Sequence, residues 1–403
     1  AYEMLRSLVG SEMCIRDSYD IVIIGGGIIG SSIAYHLARD GRAGTIAVIE
    51  RDITYSKAAT PRGSGGIRQL FSLPENIEMA RYGLDFYKKF DQTMSSKGDQ
   101  ISISFRRQGY LFVSDAGNEK VMEQNFHNQQ KMGVKAQLLD KTNLEQLFPS
   151  IYNNDVKLAV YSPDDAWIDA YSALNGFKSK ARELGVTYVS EEIKSANIQN
   201  KKIKSLTCLE GPTVKGEVFI LAAGAWSGEV TKYFDINIPV EPMSRESYFF
   251  LCNEEIEPLP FIKTETDLAF RPEGNGFTGG MLDWRVKGGW NWELSPTRFE
   301  DTVWPSLAHR IPAMETIKLE RSWRGHYARN NLDYNAIIGP WATDPYNLLI
   351  ATGFSGHGIM HAPATGLAIS ELVLEGRYKT IDLTRFGTER IVAAEPYRES
   401  GIV

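Results

Sequence analysis

Short apolar runs alternate with glycine turns and amphipathic segments at the start of the chain. Residues 20–24 form an apolar, largely β-branched run, and residues 45–49 form another. Between them, Ala34 and Leu37 recur at helical spacing within residues 31–40. This order of strand, glycine turn, helix and strand predicts a parallel βαβ unit.

The same order returns near the other end of the chain. An apolar run at 348–351 is followed by a glycine-rich loop at 352–358 and by a helix predicted to run from Pro363 to Leu374. Proline near the first helical position and a glycine just past the last one, here Gly376, are typical of helix ends. The chain therefore carries a second strand, glycine loop and helix.

A further group of apolar runs, bounded by Gly, Pro, Asp or Asn, is typical of antiparallel strands. These strands are predicted at 109–113, 240–252, 268–271, 277–282 and 317–327. Helices are predicted at 75–90, 117–132, 169–184 and 298–310, and one more strand and turn at 218–226. The pattern predicts a Rossmann-like α/β domain interrupted by an α+β domain built on an antiparallel sheet.

Both predicted domains are discontinuous in sequence. The nucleotide-binding α/β domain is assigned residues 19–95, 155–235 and 328–403, and the antiparallel domain residues 96–154 and 236–327. Residues 1–18 have neither a sustained apolar core nor an amphipathic, Arg/Ser-rich pattern. We interpret them as a non-native or disordered leader and not as a targeting peptide.

Composition and charge exclude several classes of function. The 403 residues suffice for two or three domains, and 43% of them are hydrophobic, so the chain can build its own core. The 44 Lys and Arg against 50 Asp and Glu leave a formal charge of -6, which gives no electrostatic basis for binding nucleic acid or an anionic membrane. No apolar run reaches the roughly 18 residues that a transmembrane helix needs. We expect the function to reside in a pocket.

The cysteines favour a reducing compartment. Cys14, Cys208 and Cys252 are odd in number and lack a CxxC pair. Neither a disulfide framework nor a zinc site is expected from such a set, and no other metal site is predicted.

The first glycine turn carries a dinucleotide-binding pattern. Gly25-x-Gly27-x-x-Gly30 lies between the first strand and the first helix, and Glu50 follows Gly30 by 20 residues. The first glycine allows the sharp bend, the second lets the backbone approach a pyrophosphate, and the third lets helix and strand pack closely. The carboxylate binds ribose hydroxyls. A glycine turn without a ligand is the alternative, which the strand–turn–helix context disfavours.

The C-terminal loop and helix favour FAD over NAD as the dinucleotide. A helix directs about half a positive charge at whatever lies before its N-terminus. A reduced flavin carries negative charge at N1 and O2, so a helix placed there stabilises the reduced state. The alternative is a buried C-terminal helix whose glycine loop only makes a turn.

These motifs together resemble the D-amino-acid oxidase superfamily of flavoproteins, in the branch of sarcosine oxidase and glycine oxidase. The resemblance covers residues 19–403 and rests on the first glycine turn with Glu50-Arg51, on Gly65-Gly-Ile-Arg68, and on Gly353-Phe-Ser-Gly-His-Gly358. It implies an FAD domain beside a substrate domain of six to eight strands. It also implies FAD contacts from Gly25, Gly27, Ile28, Ile29, Gly30, Glu50, Arg51, Ser64, Gly65, Gly66, Ile193, Ala223, Gly224, Trp226, Gly356, His357, Gly358, Ile359 and Met360.

Two departures from the family pattern bear on the chemistry. Sarcosine oxidases attach flavin through a cysteine just before the position of Tyr327, where this chain has none, and related dehydrogenases use a histidine after the second strand, where none occurs between His36 and His127. FAD is therefore expected to be non-covalent. Sarcosine oxidases also place lysines over the flavin, near residues 277–281 and at the position of Met360, and this chain has neither. That departure favours a dehydrogenase over an oxidase.

The resemblance also directs the choice of catalytic candidates. An amino-acid substrate needs its carboxylate held and its α C–H placed against the flavin. Arg324, next to the loop that faces the flavin in this family, is the first candidate for the carboxylate, because arginine binds a carboxylate bidentately. Tyr327 and Tyr248 are expected over the flavin, where a hydroxyl orients the amine, and His326 is expected to adjust amine protonation. The alternatives are a structural ion pair for the arginine and packing roles for the rings.

The implied reaction is oxidation of the CH–NH bond of a secondary, N-methylated or D-amino acid by hydride transfer to flavin N5, giving an imine that hydrolyses. Oxygen, a quinone or an electron-transfer flavoprotein would accept the electrons. Two alternatives stay open: a flavoprotein assembly factor that acts by binding a partner, and a 2-hydroxy-acid dehydrogenase with His326 as the base. A cytoplasmic location is expected, with the mitochondrial matrix as the alternative.

Overall fold

The structure is a computed structural model, and it describes residues 17–96, 100–115, 117–211 and 213–402. Of the predicted leader, residues 1–16, Cys14 among them, lie outside the described residues, whereas Ser18 opens the first strand. None of the helices in the described part of the chain is long and apolar enough to cross a membrane.

The strands and helices are labelled in chain order over the described residues. The strands are β1 (Ser18–Ile24), β2 (Ile46–Glu50), β3 (Gly66–Ile67), β4 (Tyr110–Ser114), β5 (Gln137–Leu139), β6 (Leu158–Ser162), β7 (Ala166–Trp167), β8 (Thr187–Ser190), β9 (Ile193–Gln199), β10 (Lys202–Cys208), β11 (Thr213–Leu221), β12 (Val240–Cys252), β13 (Phe261–Thr264), β14 (Leu268–Glu273), β15 (Gly276–Met281), β16 (Ile317–Asn330), β17 (Ile337–Pro340) and β18 (Leu348–Thr352). The α-helices are α1 (Ile28–Asp40), α2 (Pro74–Tyr87), α3 (Phe90–Met94), α4 (Glu119–Lys131), α5 (Lys141–Leu147), α6 (Ala170–Glu183), α7 (Ser227–Val230), α8 (Trp304–Arg310), α9 (Gly358–Glu375) and α10 (Glu389–Val392).

A mixed sheet of eight strands carries the α/β half of the molecule. Strands β18, β11, β1, β2 and β8 run parallel in that order, with β17 antiparallel at one edge and β10 and β9 added beside β11. Every residue of β2 is buried, as expected for a parallel strand covered on both faces. Helix α1 packs against α9 and α6. The predicted βαβ unit is confirmed, since Val22 pairs in parallel with Ala47.

The second sheet also has eight strands, in the order β16, β12, β15, β14, β13, β4, β6 and β5. Its neighbours are antiparallel except β13 and β4, which pair in parallel. The long ribbon of β12 and β16 runs from Val240 opposite Asn330 to Cys252 opposite Ile317. The expected antiparallel sheet is therefore present. Strands β3 and β7 pair with each other and form a separate two-stranded antiparallel ribbon.

Two details differ from the sequence prediction. Strand β6 pairs with β4 and β5 in the second sheet, although the sequence assigns residues 155–235 to the α/β domain. The remaining domain limits stay a prediction. Helix α9 begins at Gly358, and Pro363 lies inside it. Proline at this position removes the hydrogen bond to the carbonyl four residues earlier, that of Ile359, and this oxygen accepts a bond from Tyr87 Oη at 2.8 Å.

The C-terminal segment caps a helix that is distant in sequence. Helix α2 begins after Leu73, which provides no side-chain cap. The Glu399 carboxylate accepts hydrogen bonds from the Ser72 N–H at 2.6 Å, the Leu73 N–H at 3.2 Å and Asn76 Nδ2 at 2.6 Å. The first two bonds occupy backbone N–H groups that no helical carbonyl can reach. They join the C-terminal segment to α2, which packs against α9.

Candidate active site

A cavity of about 510 Å³ lies between the first sheet and the second. One wall is formed by the carboxyl ends of β1, β2 and β11 with the loops that follow them, and another by residues of β4, β12, β13, β14 and β16. The carboxyl ends of parallel strands are where α/β proteins bind nucleotides. The cavity thus lies between the nucleotide-binding edge of the first sheet and one face of the second sheet.

The loop between β1 and α1 has the backbone shape that a pyrophosphate requires. Gly25 has a φ of +98°, and a Cβ there would lie 2.5 Å from the Ala222 carbonyl oxygen. A Cβ on Gly30 would lie 1.9 Å from the Gly25 carbonyl oxygen. A Cβ on Gly27, which lines the cavity, would meet no described atom within 4 Å. This geometry fits the three roles that the sequence predicts.

Glu50 ends β2 at the cavity and is held by backbone donors. Its Oε2 accepts a bond from the Gly26 N–H at 2.7 Å, and its Oε1 accepts one from the Asp52 N–H at 2.8 Å. Burial raises the pKa of this carboxyl, and the two N–H donors oppose that rise. Beside it, the Arg51 guanidinium lies 5.1 Å from the centre of the Trp226 ring. This part of the cavity suits a nucleoside.

Helix α9 presents an uncapped N-terminus to the cavity. No side chain caps it, and its first turn contains no acidic residue. Its free N–H groups and the positive end of its dipole are therefore available to an anionic group in the cavity. Next to it, Arg68 Nη2 lies 3.1 Å from His357 Nε2. Burial, together with repulsion from Arg68, lowers the pKa of His357 well below its usual value. The neutral imidazole therefore accepts a hydrogen bond from Arg68.

Nearly all the residues predicted to contact FAD line this cavity. They are Gly25, Gly27, Ile28, Ile29, Glu50, Arg51, Ser64, Gly65, Gly66, Ile193, Ala223, Gly224, Trp226, Gly356, His357, Gly358, Ile359 and Met360. Gly30 does not line it, because it lies behind the turn against Gly25. The residues present fit a dinucleotide that extends from the first glycine turn to the N-terminus of α9. Among the described residues, no cluster of His, Cys, Asp or Glu is placed to hold a metal ion.

The second sheet closes the cavity with aromatic and cationic side chains. Tyr110 and Phe261, on the neighbouring strands β4 and β13, stack with ring centroids 4.4 Å apart. Arg245 on β12 and Tyr327 on β16 both line the cavity, and Arg245 Nη1 donates to the Tyr327 hydroxyl. Of the predicted catalytic residues, Tyr327 is the one that the structure places in the cavity.

Lys263 reaches the same cavity from β13. Its side chain lines the cavity, and burial lowers the pKa of its ammonium group to about 7, with repulsion from Arg68 and Arg245 adding to the effect and Asp267 opposing it. Asp267 lies in the turn before β14, and its carboxyl accepts a bond from Trp284 Nε1 at 3.3 Å. Burial raises the pKa of Asp267. Within the described ranges, no carboxylate forms an ion pair with the Lys263 ammonium.

Arg324 and Tyr248 lie outside the cavity, so the sequence prediction is wrong for both. The Arg324 guanidinium forms an ion pair with the Glu246 carboxylate, and the Tyr248 hydroxyl donates to that same carboxylate. Side chains alternate between the faces of a strand, so Arg324 and Tyr327, three positions apart, point in opposite directions. The ion pair that the sequence analysis names as the alternative is the one observed.

His326 also points away from the cavity. Its Nε2 accepts a bond from the Asn291 N–H at 3.0 Å, and its ring centroid lies 4.3 Å from that of Trp292. Burial lowers the pKa of His326 to about 4, with repulsion from Arg324 adding to the effect. A neutral imidazole that is already an acceptor and lies behind the sheet cannot take a proton from a ligand in the cavity. Its predicted role as a base is therefore wrong.

Sequence analysis missed Arg245 and Lys263. A signal for the first was available, because Arg245 lies three residues before Tyr248, and a strand that buries one must turn the other to the opposite face. A signal for the second was a single lysine inside the apolar run at 259–264. Charged side chains are rarely placed in buried strands without a partner or a function.

The fold and the cavity together define a flavin-dependent oxidoreductase. Two uncapped helix N-termini meet one dinucleotide-sized cavity, and a separate sheet with cationic side chains closes it. The family profile described as "DAO: FAD dependent oxidoreductase" matches residues 20–372. The chain belongs to this family and is an FAD-dependent oxidoreductase.

Individual relatives agree with this assignment. FAD-dependent oxidoreductase domain-containing protein 1 of Xenopus laevis is 35% identical, over 95% of this chain and 85% of the relative. Glycine oxidase of Bacillus licheniformis is 26% identical, over 93% of this chain and 98% of the relative. Among solved structures, L-proline dehydrogenase from P. horikoshii superimposes with a TM-score of 0.85 at 26% identity, covering 95% of this chain and 100% of that one.

Proposed function

We propose that this protein oxidises the CH–NH bond of a small amino acid. The observation that carries the proposal is the Arg245–Tyr327 pair, which lines the cavity on the second sheet. Arg245 Nε is buried without a hydrogen-bond partner among the described residues, so the guanidinium keeps a free donor. A planar guanidinium with free N–H groups binds a carboxylate in two-point fashion.

Each cavity residue has a distinct role in this proposal. Arg245 and Tyr327 hold the substrate carboxylate, which fixes the position of the α-carbon. Asp267, whose pKa is raised by burial, accepts the proton of the substrate ammonium and leaves a neutral amine. The stacked rings of Tyr110 and Phe261 exclude water. FAD, which the cavity residues between the first glycine turn and the N-terminus of α9 would hold, would supply the two-electron oxidation of the CH–NH bond, and the resulting imine would hydrolyse.

The names of several relatives support an amino-acid substrate. Glycine oxidase, L-proline dehydrogenase and 4-methylaminobutanoate oxidase are each named for one. We propose oxygen, a quinone or an electron-transfer flavoprotein as the electron acceptor, and the cytoplasm or the mitochondrial matrix as the compartment. The expectation of a dehydrogenase rests on the lack of a lysine at two family positions. Lys263 lines the cavity from a third position, so that lack does not decide between oxidase and dehydrogenase.

Anaerobic absorbance measurements on the purified flavoprotein test the proposal. The protein is mixed with N-methylated amino acids, cyclic imino acids, D-amino acids and 2-hydroxy acids, and flavin absorbance is followed. Rapid bleaching by one amine class is the expected result, and admitting air then separates an oxidase, which recolours fast, from a dehydrogenase. Bleaching by dithionite but by no amine contradicts the proposal and favours a flavoprotein that acts by binding a partner.

Two arginines on the same strand pair provide a matched test of the carboxylate anchor. Arg245→Met is expected to weaken substrate binding by about 10- to 100-fold, because it removes charge-assisted hydrogen bonds. Arg324→Met, on the opposite face, is expected to leave substrate affinity unchanged and to lower stability, because it leaves the Glu246 carboxylate buried without its partner. Bleaching titrations measure the affinities and urea unfolding measures the stability. An equal loss of affinity in both variants contradicts the assignment.

A further inference from the structure

Lys263 lies across the second sheet from the Arg245–Tyr327 pair, and small residues separate them. Strands β15 and β14 lie between β12, which carries Arg245, and β13. Along the row that starts at Lys263, the paired positions are Ala269 and then Gly280. Three strand spacings place the two backbones about 14 Å apart. Two long cationic side chains thus enter the cavity from either side of β14 and β15, where Ala269, the residue paired with Lys263, adds only a methyl group to the lining.

The charges of this wall do not balance for a simple amino acid. An amino-acid zwitterion uses Arg245 for its carboxylate and Asp267 for its ammonium, as the proposed function assigns them. Asp267, whose charge raises the pKa of Lys263, is then neutralised by the substrate, no described carboxylate lies within ion-pair distance of the Lys263 ammonium, and Arg68 and Arg245 repel it. A cation held in such surroundings without a counter-ion is costly unless a ligand supplies one.

From this juxtaposition we infer that the substrate is a dicarboxylic amino acid, with its first carboxylate on Arg245 and its second on Lys263. The second carboxylate lies at the end of the side chain or of the N-substituent. The short side chain of Ala269, which lines the cavity beside Lys263, leaves room for the ligand between the two cations. This inference rests on the proposed function for the reaction, although the two anion subsites themselves are tested separately.

Matched substrates test the second carboxylate directly. N-methylglutamate and N-methylglutamine have the same shape and differ in the charge of one end, as do N-(carboxymethyl)alanine and N-(carbamoylmethyl)alanine. Anaerobic bleaching is expected to favour the carboxylate member of one pair by about 10- to 100-fold in rate at low concentration. The pair that shows this preference identifies which end carries the second carboxylate. Equal rates within both pairs contradict the inference.

Variants of Lys263 test whether this residue causes the preference for the carboxylate member of a pair. Lys263→Met keeps the apolar stem and is expected to reduce the preference to within about twofold of parity. Lys263→Arg keeps the charge and is expected to retain most of the preference, which separates loss of charge from loss of folding. Arg245→Met is expected to slow both members of each pair equally. A preference unchanged in Lys263→Met contradicts the assignment.

Binding without turnover separates this inference from the proposed function. Calorimetry measures the affinity of the FAD-loaded protein for glutarate and for its half-amide, 4-carbamoylbutyrate. A glutarate preference that Lys263→Met abolishes supports the paired anion subsites even if no amine bleaches the flavin, in which case the amine reaction alone fails. Bleaching by amines together with equal glutarate and half-amide affinities retains the reaction and rejects the second carboxylate.

Discussion

At the scale of one residue, the ionisation of Lys263 makes the affinity for a dicarboxylate depend on pH. Its pKa is about 7 in the free protein, where it faces Arg68, Arg245, Asp267 and His357. A second carboxylate raises this pKa, so binding takes up a proton above pH 7. We predict that glutarate affinity is constant below pH 7 and falls by up to about tenfold per pH unit above it. Calorimetry at several pH values measures this slope.

The Lys263→Met variant is the control for this pH dependence. Ionisation of Asp267 within the measured pH range would act in the same direction, because its charge repels a carboxylate. A slope that disappears in Lys263→Met belongs to the lysine, because the other facing groups are unchanged. A slope of the same size in the variant assigns it to Asp267 or another group and contradicts the prediction.

Residue-level prediction from sequence succeeded for backbone roles and failed for side-chain direction. The roles of Gly25 and Gly30 were predictable because a tight turn and a close backbone approach both require glycine, which the sequence shows directly. Arg324 failed because alternation along a strand decides which face a side chain takes, and a strand's starting phase depends on its partner. Arg324 and Tyr327 cannot face one ligand from an unbroken strand, and spacing alone would have shown that conflict.

The turn between β1 and α1 yields a prediction at the scale of an element. Gly27→Ala is expected to preserve folding, because the new methyl group meets no described atom, and to weaken FAD binding at least tenfold, because it occupies the approach of a pyrophosphate. Gly30→Ala is expected to disrupt the unit itself, since its methyl group would overlap the Gly25 carbonyl oxygen. Thermal melts of the apoprotein and FAD titrations separate the two effects. A Gly27→Ala protein with normal FAD affinity contradicts the assignment of this turn to the pyrophosphate.

Helix α9 depends on a contact from α2. Pro363 leaves the Ile359 carbonyl without its helical donor, and the Tyr87 hydroxyl replaces that donor. Tyr87→Phe is predicted to lower the free energy of unfolding by about 1–3 kcal/mol, the cost of a buried acceptor left unpaired. Urea unfolding measures the change.

The matched control is Tyr82→Phe on the same helix. The Tyr82 hydroxyl takes part in no hydrogen bond among the described residues, so its loss is expected to change stability by less than about 0.5 kcal/mol. Similar losses in both variants would show that aromatic packing, and not the bond to Ile359, accounts for the effect. The sequence could not reveal this bond, because its partners lie 272 residues apart. The sequence therefore placed Pro363 at the start of a helix, where proline is common.

At the scale of the whole molecule, we predict that the cavity between the two sheets holds FAD without a covalent bond to the protein. Neither Cys208 nor Cys252, the described cysteines, lines the cavity, and the lining residue His357 already accepts a hydrogen bond from Arg68. We predict that acid precipitation releases all of the flavin into the supernatant as FAD. Fluorescence of the supernatant and the pellet measures the partition. A pellet that stays yellow after washing shows a covalent bond and contradicts the prediction.

Architecture was more predictable than the site. The order of apolar runs gave both sheets, because strand periodicity and glycine turns are local properties. Strand β6 was misassigned because it pairs with β4, some 50 residues earlier, and its own sequence does not state that partner. Arg245 and Lys263 come together only through the strand order of the second sheet. The sequence thus predicts secondary-structure elements well and predicts tertiary contacts between elements that are distant in sequence poorly.

The cap that Glu399 places on α2 makes the order of synthesis matter. The Ser72 N–H and the carboxylate that accepts its bond lie 327 residues apart, so the ribosome makes the helix long before its cap. Until then the Ser72 and Leu73 N–H groups lack this acceptor, and an isolated helix of 14 residues is marginal in water. Helix α2 also carries Tyr87, whose hydroxyl bonds the Ile359 carbonyl of α9. We therefore expect α2 and α9 to reach their final packing only after the C-terminal segment has been synthesised.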